Sequence, residues 1–458
     1  MASSSAVKIL ETAQIEPISA VESSLPFTFF DTFWFTMAPV ERLFFYSLND
    51  LTPADFSSHI LPNLKQSLSL TLHHFLPLAG NLMWPSNAPK PFISYTRNNG
   101  VSLTVAESDD DFHRLTGNGV FEALELHPLI PRLVSSDDYA SALALQITLF
   151  PGKGFSIGIT AHHMVLDGKT TTMFMKSWAY HCKQGNTKNS PLPPELTPVF
   201  DRNVIKDPTG FDLEMLYLNQ WLTRTNGNKS LKISTNKGAA SDLVRATVTI
   251  SPEDFKKMRQ RVLSKSSDGS NHLHLSPFVL TLGYITSCIV KARGGAGDRI
   301  VFLGFTADCR PRCNPPVPEN YFGNCNAVLV DYSKAGSYMD FESGFEFAAE
   351  KLSKMVKGLT EKGVLQGAEN RLAHLLEITK EPAGSVQMIT VAGSPRFDLY
   401  GTDFGWGTPW KVVVVSIDRN EAISMAESRE LNKGVEVGLA LKKDEMERFL
   451  SMFLKDVY

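Results

Sequence analysis

A chain of 458 residues, 43% hydrophobic and 20% charged, has the length for two domains with sizeable cores and the make-up of an ordinary folded protein. Its formal charge of -3 supplies no basic field for nucleic acid and no polybasic patch for a membrane surface. Five cysteines (Cys182, Cys288, Cys309, Cys313, Cys325) contain no C-x-x-C pair, which fits reduced thiols and argues against a disulfide framework or a zinc site.

Small-molecule substrates are therefore the expected partners. Met1 to Ile15 shows no cationic stretch followed by an apolar core, and no apolar run approaches the roughly 20 residues of a membrane helix. The expectation is a cytoplasmic monomer that engages neither membrane nor nucleic acid.

Leu25 to Phe45 is dense in aromatics (Phe27, Phe29, Phe30, Phe33, Trp34, Phe35, Phe44, Phe45) and broken by Pro26 and Pro39, which predicts extended or irregular chain crossing a core or walling an apolar pocket. Thr52 and Pro53 read as an N-cap and first helical residue. Phe56, Ile60, Leu64, Leu68, Leu72 and Phe75 then recur every three or four residues, so helix runs to about His74. Asp109, Asp110 and Asp111 are adjacent rather than convergent, and read as a solvated loop.

Leu143, Leu145, Ile147 and Leu149, then Phe155, Ile157 and Ile159, alternate on either side of Pro151-Gly152-Lys153-Gly154 and predict a hairpin. Its second strand delivers His163, and a helix is expected from near Gly168, carrying Met173, Phe174, Ser177, Trp178 and Cys182. His163 and Asp167 thus sit four residues apart between strand and helix. An imidazole there can take a proton near neutral pH. Asp167 either bonds the far ring nitrogen of His163 or ties the loop to an arginine elsewhere; the spacing alone also fits a core histidine followed by an ordinary helix cap. His162 and His163, being adjacent, point to opposite faces and do not meet one metal ion. Gly154-Phe155-Ser156-Ile157-Gly158 is a literal G-x-S-x-G, but a nucleophile elbow needs a turn at the serine, and Ser156 falls inside the alternating strand.

Lys183 to Pro198, with four prolines, reads as a connector. Ser251-Pro252 and Ser276-Pro277 each predict a helix start, separated by a polar loop from Lys265 to Asn271; the second N-terminus is a possible phosphate seat with Lys256 or Lys257 nearby. Ile300 to Phe305 predicts a buried strand ending at Asp308-Cys309-Arg310. Val412 to Ile417, Ile423 to Ala426 and Val435 to Leu441 predict an antiparallel meander, followed by an amphipathic helix with Met446, Phe449, Leu450, Phe453 and Leu454. Asp403-Phe404-Gly405-Trp406-Gly407 predicts a tight bend under a large ring, whose aspartate could pair with an arginine such as Arg310. The residues alone give α/β or α+β with two comparable halves and mixed sheets.

His163-x-x-x-Asp167 combined with Asp403-Phe404-Gly405-Trp406-Gly407 resembles the plant acyl-CoA-dependent acyltransferases called BAHD, whose two hallmark motifs these are. The likeness extends over essentially the whole chain, including His74 to Gly80 and Asp308-Cys309-Arg310. Tyr321-Phe322-Gly323-Asn324-Cys325 is similar to the motif of the clade that acylates phenolic glycosides. Leu166 to Thr170 and Val40 to Tyr46 look most like the malonyltransferases of phenolic glucosides.

The resemblance implies an α/β fold of two chloramphenicol-acetyltransferase-like domains with mixed sheets and an active-site channel at their interface: 1–182, a crossover linker 183–215, and 216–458. It implies that His163 serves as base and then acid in direct transfer, without an acyl-enzyme. Asp167 becomes an ion-pair partner, Asp403 a site residue on a loop away from the reacting atoms, and Lys257 and Ser276 holders of CoA. Malonyl-CoA would be a substrate, a phenolic glucoside the acceptor, with no bound cofactor and no metal. Some related malonyltransferases carry an arginine just after the aspartate, where this chain has Lys169, so a hydroxycinnamoyl-CoA donor is the alternative; a non-catalytic binder of CoA or glycosides is the reading from another class.

Overall fold

The computed structural model describes residues 7–185, 191–208, 210–233, 242–265, 273–378, 380–381, 385–419 and 422–455. In chain order the strands of the first half are β1 (Lys8–Ile15), β2 (Ser23–Pro26), β3 (Val40–Ser47), β4 (Asn81–Met83), β5 (Phe92–Tyr95), β6 (Val101–Glu107), β7 (Phe121–Glu122), β8 (Tyr139–Ser141), β9 (Leu143–Phe150) and β10 (Gly154–Ala161). Those of the second half are β11 (Leu243–Ile250), β12 (Ile300–Asp308), β13 (Asn326–Lys334), β14 (Val386–Ala392), β15 (Lys411–Val414), β16 (Ala422–Glu427) and β17 (Val435–Lys442). The longer helices are α1 (Leu61–His74), α2 (Gly168–Lys183), α3 (Leu213–Arg224), α4 (Pro252–Lys265), α5 (Pro277–Arg293), α6 (Gly344–Glu361), α7 (Ala368–Ile378) and α8 (Lys443–Met452).

One sheet has the order β1-β6-β9-β10-β3-β15, a second β13-β12-β14-β16-β17-β11-β7, and a small third β2-β5-β4-β8. Both large sheets are mixed: β6 runs parallel to β9, and β14 lies parallel to β12 and β16. The architecture is α/β, as the sequence predicts. The halves also exchange strands. β15 pairs antiparallel with β3, while β7 pairs with β11. This corrects the expected meander: β16 and β17 are antiparallel neighbours, but the Val412–Val414 run leaves them for the other sheet. Three similar apolar runs in succession say nothing about which sheet edge each one joins.

The predicted hairpin is β9 and β10, in register from Gly154 opposite Phe150 to Ala161 opposite Leu143. Its odd-numbered residues face α1 and α2, where the indole N–H of Trp178 donates to the Leu64 carbonyl at 3.1 Å and to Ser67 Oγ at 3.0 Å. The other face is covered as well. Gln146 donates to the Pro128 carbonyl and Thr160 to the Pro131 carbonyl, so these two polar residues at even positions are buried with partners. Ser156 lies among them in mid-strand, its Oγ buried and without a partner, which removes the elbow reading of G-x-S-x-G.

Thr52 caps the helix expected before His74, accepting from the Asp55 N–H at 3.1 Å, and Asp111 caps a short helix rather than lying in a bare loop. The aromatic stretch is more ordered than predicted. It holds β2, a one-turn helix at Phe29–Thr32 and β3, and buries Phe27, Phe29, Phe30, Phe33 and Phe35 in the core. Asn186 and Asn189 of the connector, and the loop from 266 to 271, fall outside the described residues.

Candidate active site

β10 is sealed on both faces up to Ala161, so the first residues that can reach open space are those that follow it. His162 turns inward and is 4% exposed; His163 turns the other way and is half-buried. Its ring lies flat on Trp34, with centroids 4.1 Å apart and planes 4° from parallel, so the imidazole is held in one orientation. Nδ1 is a buried atom without a partner. Burial pushes the His163 imidazole down to about 4, with its own carbonyl and the Asp167 carboxylate pulling the other way. His162 is pushed to about 3, by burial first and then by its neighbour. At neutral pH His163 is therefore an uncharged base.

The sequence left two roles open for Asp167, and the geometry chooses the second. Its Oδ2 accepts from Arg310 Nη1 at 2.9 Å and from the Cys325 N–H at 3.1 Å, while Oδ1 accepts from the Thr170 N–H at 2.8 Å as the cap of α2. Burial alone would raise this carboxyl, but Arg310 and the two amides hold it below its ordinary range. Arg310, 1% exposed, also donates to the carbonyls of Tyr321 and Gly323. Asp167 therefore anchors the strand-to-helix turn to the second half of the chain, and His163 is placed by that turn. The expected pairing of Arg310 with Asp403 does not occur, because Arg310 is occupied here.

Sequence reasoning missed a second tie. Asn324 donates through Nδ2 to the His163 carbonyl at 2.9 Å and to Asp31 Oδ1 at 3.1 Å. Asp31, fully buried, also accepts from the Thr28 N–H and hydroxyl in a capping box. The T-x-x-D spacing at Thr28 was the available signal. The Trp34 stack had none.

Asp403 lies at the other end of α2. Its Oδ2 meets Lys183 Nζ at 2.6 Å, and Oδ1 accepts the N–H groups of Gly405 (2.8 Å) and Gly407 (3.0 Å), whose φ values of 107° and 101° favour glycine. Phe404, 1% exposed, wedges edge-on against Trp178 and Tyr46. Sixteen residues of α2 make about 24 Å of helix, so this loop stands well away from His163. Ser276 caps α5, its Oγ accepting the Val279 N–H at 3.3 Å, and Lys257 projects from α4, which is joined to that cap by Arg259 donating to the Leu275 carbonyl at 2.8 Å. Lys256 is paired with Glu253. Lys169 meets Asp308 at 3.3 Å and also Glu319. Among the described residues no cluster of His, Cys, Asp and Glu could hold a metal ion, and no helix is long and apolar enough to cross a membrane.

Residues 5–455 match the family described as the Transferase family. Over 98% of both chains, the sequence is 46% identical to phenolic glucoside malonyltransferase 1 of Arabidopsis thaliana. The chain belongs to the BAHD acyltransferase family. A second BAHD relative, the malonyl-CoA:anthocyanidin 5-O-glucoside-6''-O-malonyltransferase of Arabidopsis thaliana, is 45% identical over 98% of each chain. The fold matches vinorine synthase with a TM-score of 0.69, covering 97% of this chain and 98% of that one at 20% identity. As a BAHD member the protein is an acyl-CoA-dependent acyltransferase.

Proposed function

We propose that this enzyme moves malonyl from malonyl-CoA to the 6-hydroxyl of the sugar in a phenolic glucoside, with His163 as the general base. The observation that carries the chemistry is the His163 ring: uncharged, clamped on Trp34, and placed by the Asp167–Arg310 pair where a sealed strand first opens. The donor and acceptor classes rest on the two malonyltransferases above, at 45% and 46% identity over nearly full length. His163 takes the proton of the sugar hydroxyl as its oxygen attacks the thioester carbonyl. The imidazolium then gives that proton to the departing sulfur, leaving the malonyl ester and free CoA thiol. Direct transfer without an acyl-enzyme fits a Ser156 hydroxyl sealed in mid-strand, which removes the nucleophile that G-x-S-x-G would supply.

In the same reading Lys257 and Ser276 hold the CoA, and Asp167 and Asp403 support the site from the two ends of α2. The chain works as two halves, 1–182 and 216–458, joined by 183–215, with a channel at their interface and His163 midway along it. The enzyme acts as a monomer in the cytoplasm. His163→Ala should lower turnover of malonyl-CoA with a phenolic glucoside by about 10²–10⁴-fold, with an unchanged circular dichroism spectrum. Retained turnover refutes the mechanism. Product masses from one glucoside offered malonyl-CoA and a hydroxycinnamoyl-CoA decide the donor.

A further inference from the structure

The burial that keeps His163 neutral at rest also opposes the charge it carries once it has taken the hydroxyl proton. Two nearby groups favour that charge, and both are engaged elsewhere. The Asp167 carboxylate meets Arg310 Nη1 at 2.9 Å, so much of its field is cancelled, and the carbonyl of His163 itself already accepts from Asn324 Nδ2. Among the described residues the ring atom Nδ1 has no hydrogen-bond partner. Support for a transient imidazolium has to come from another direction.

That direction is the face of the ring. Trp34 lies within 4° of parallel to His163, with centroids 4.1 Å apart, so the electron-rich face of the indole is presented to the whole imidazole. A cation within about 6 Å of a tryptophan face is attracted to it, most strongly where water is excluded. A neutral imidazole gains far less from the same contact. The stack therefore favours the charged form over the resting one, which is the condition for lowering a barrier rather than tightening binding.

The indole is also fixed in place. Its Nε1–H donates to Asn326 Oδ1 at 3.2 Å, and the Phe33 ring meets it edge-on at 5.2 Å. Asn326 opens β13 two residues after Asn324, whose Nδ2 holds the His163 carbonyl at 2.9 Å. One short segment from the second half of the chain thus ties both members of the stack, the indole by its edge and the histidine by its backbone. The geometry is set before the charge develops and needs no rearrangement when it does.

We infer that the ring face of Trp34 stabilises the imidazolium of His163 during acyl transfer, and so sets the rate of the chemical step rather than the affinity for either substrate. The inference rests on His163 being the general base. In this role Trp34 is a positioning residue that acts through the imidazole.

Fluorine on the indole drains electron density from its face and changes its volume little. Mono-, di- and trifluorotryptophan, inserted at position 34 alone among the six tryptophans, therefore separate charge from packing. The readout is the single-turnover rate of ester formation from malonyl-CoA and one phenolic glucoside, with the KM of each substrate beside it. The rate should fall stepwise with each fluorine, to roughly a tenth or less with three, while the thermal midpoint and both KM values hold. Trp34→Phe, which keeps a weaker face, should fall between the wild type and Trp34→Leu; should the leucine variant fail to fold, the fluorinated series still decides. A rate indifferent to fluorine, or a loss confined to the KM of the glucoside, overturns the inference, and an inactive His163→Ala then leaves the base reading intact. A His163→Ala variant that keeps turnover removes both.

Discussion

The two ends of α2 are built from the two motifs of the family, and they are built differently. At the N-terminal end, Asp167 and Arg310 form an ion pair 4% and 1% exposed, with three donors on the two carboxylate oxygens and His163 four residues away. At the C-terminal end, Asp403 and Lys183 meet near the surface, where the lysine side chain is 56% exposed, and the buried weight is carried by Phe404. One end positions chemistry with charge in a dry setting. The other pins the helix with a ring and a turn. Hallmark spacing marks both and does not say which is which.

That contrast can be broken most severely at the buried end. Removing one partner of a buried pair strands the other charge, so Arg310→Leu should lower unfolding free energy by about 3–5 kcal/mol and abolish turnover with it. Denaturant titration checks the first and product formation the second; a variant as stable as wild type would mean that the pair does not hold the turn. Asp403→Ala should cost less, about 1–3 kcal/mol, since the pair with Lys183 is screened by solvent while the two glycine amides lose their acceptor. Its activity loss should follow the drop in thermal midpoint and recover on cooling, unlike that of His163→Ala.

A pH experiment sharpens the contrast. The folded protein holds His163 down to about 4 and His162 to about 3, whereas unfolded histidines titrate near about 6.5. Both groups are depressed on folding, so the stability tied to their neutral forms is complete above about pH 6.5 and is lost as pH falls toward 4. His163→Ala should therefore lose less stability between pH 7 and 5 than the wild type, read from unfolding midpoints at the two values; parallel slopes would mean that burial does not hold this ring neutral. The smallest effect belongs to Ser156→Ala, which deletes an unpartnered hydroxyl and should change activity not at all and stability by less than about 1 kcal/mol.

Much of this was legible in the sequence, and the gaps have physical reasons. Period-two alternation gave β9 and β10, and proline-led caps gave α4 and α5, because those signals are local. The partner of Asp167 was not local: Arg310 lies far along the chain, and an aspartate at a helix start looks alike whether its second oxygen meets water or a guanidinium. The destination of β15 was hidden for the same reason, since Lys411–Val414 carries no mark of the sheet it enters. Trp34 shows in the sequence only as one member of a dense aromatic run, because ring-on-ring contact has no spacing signature.

The strand exchange has a consequence for how the protein could be taken apart. A polypeptide cut between 183 and 215 would yield two pieces, each with an open row of amides and carbonyls that only a short strand from the other completes: β15 along β3, and β7 along β11. Neither piece should persist by itself, yet the two co-expressed should find each other and regain transferase activity, a natural split reporter whose seam was drawn by its own topology.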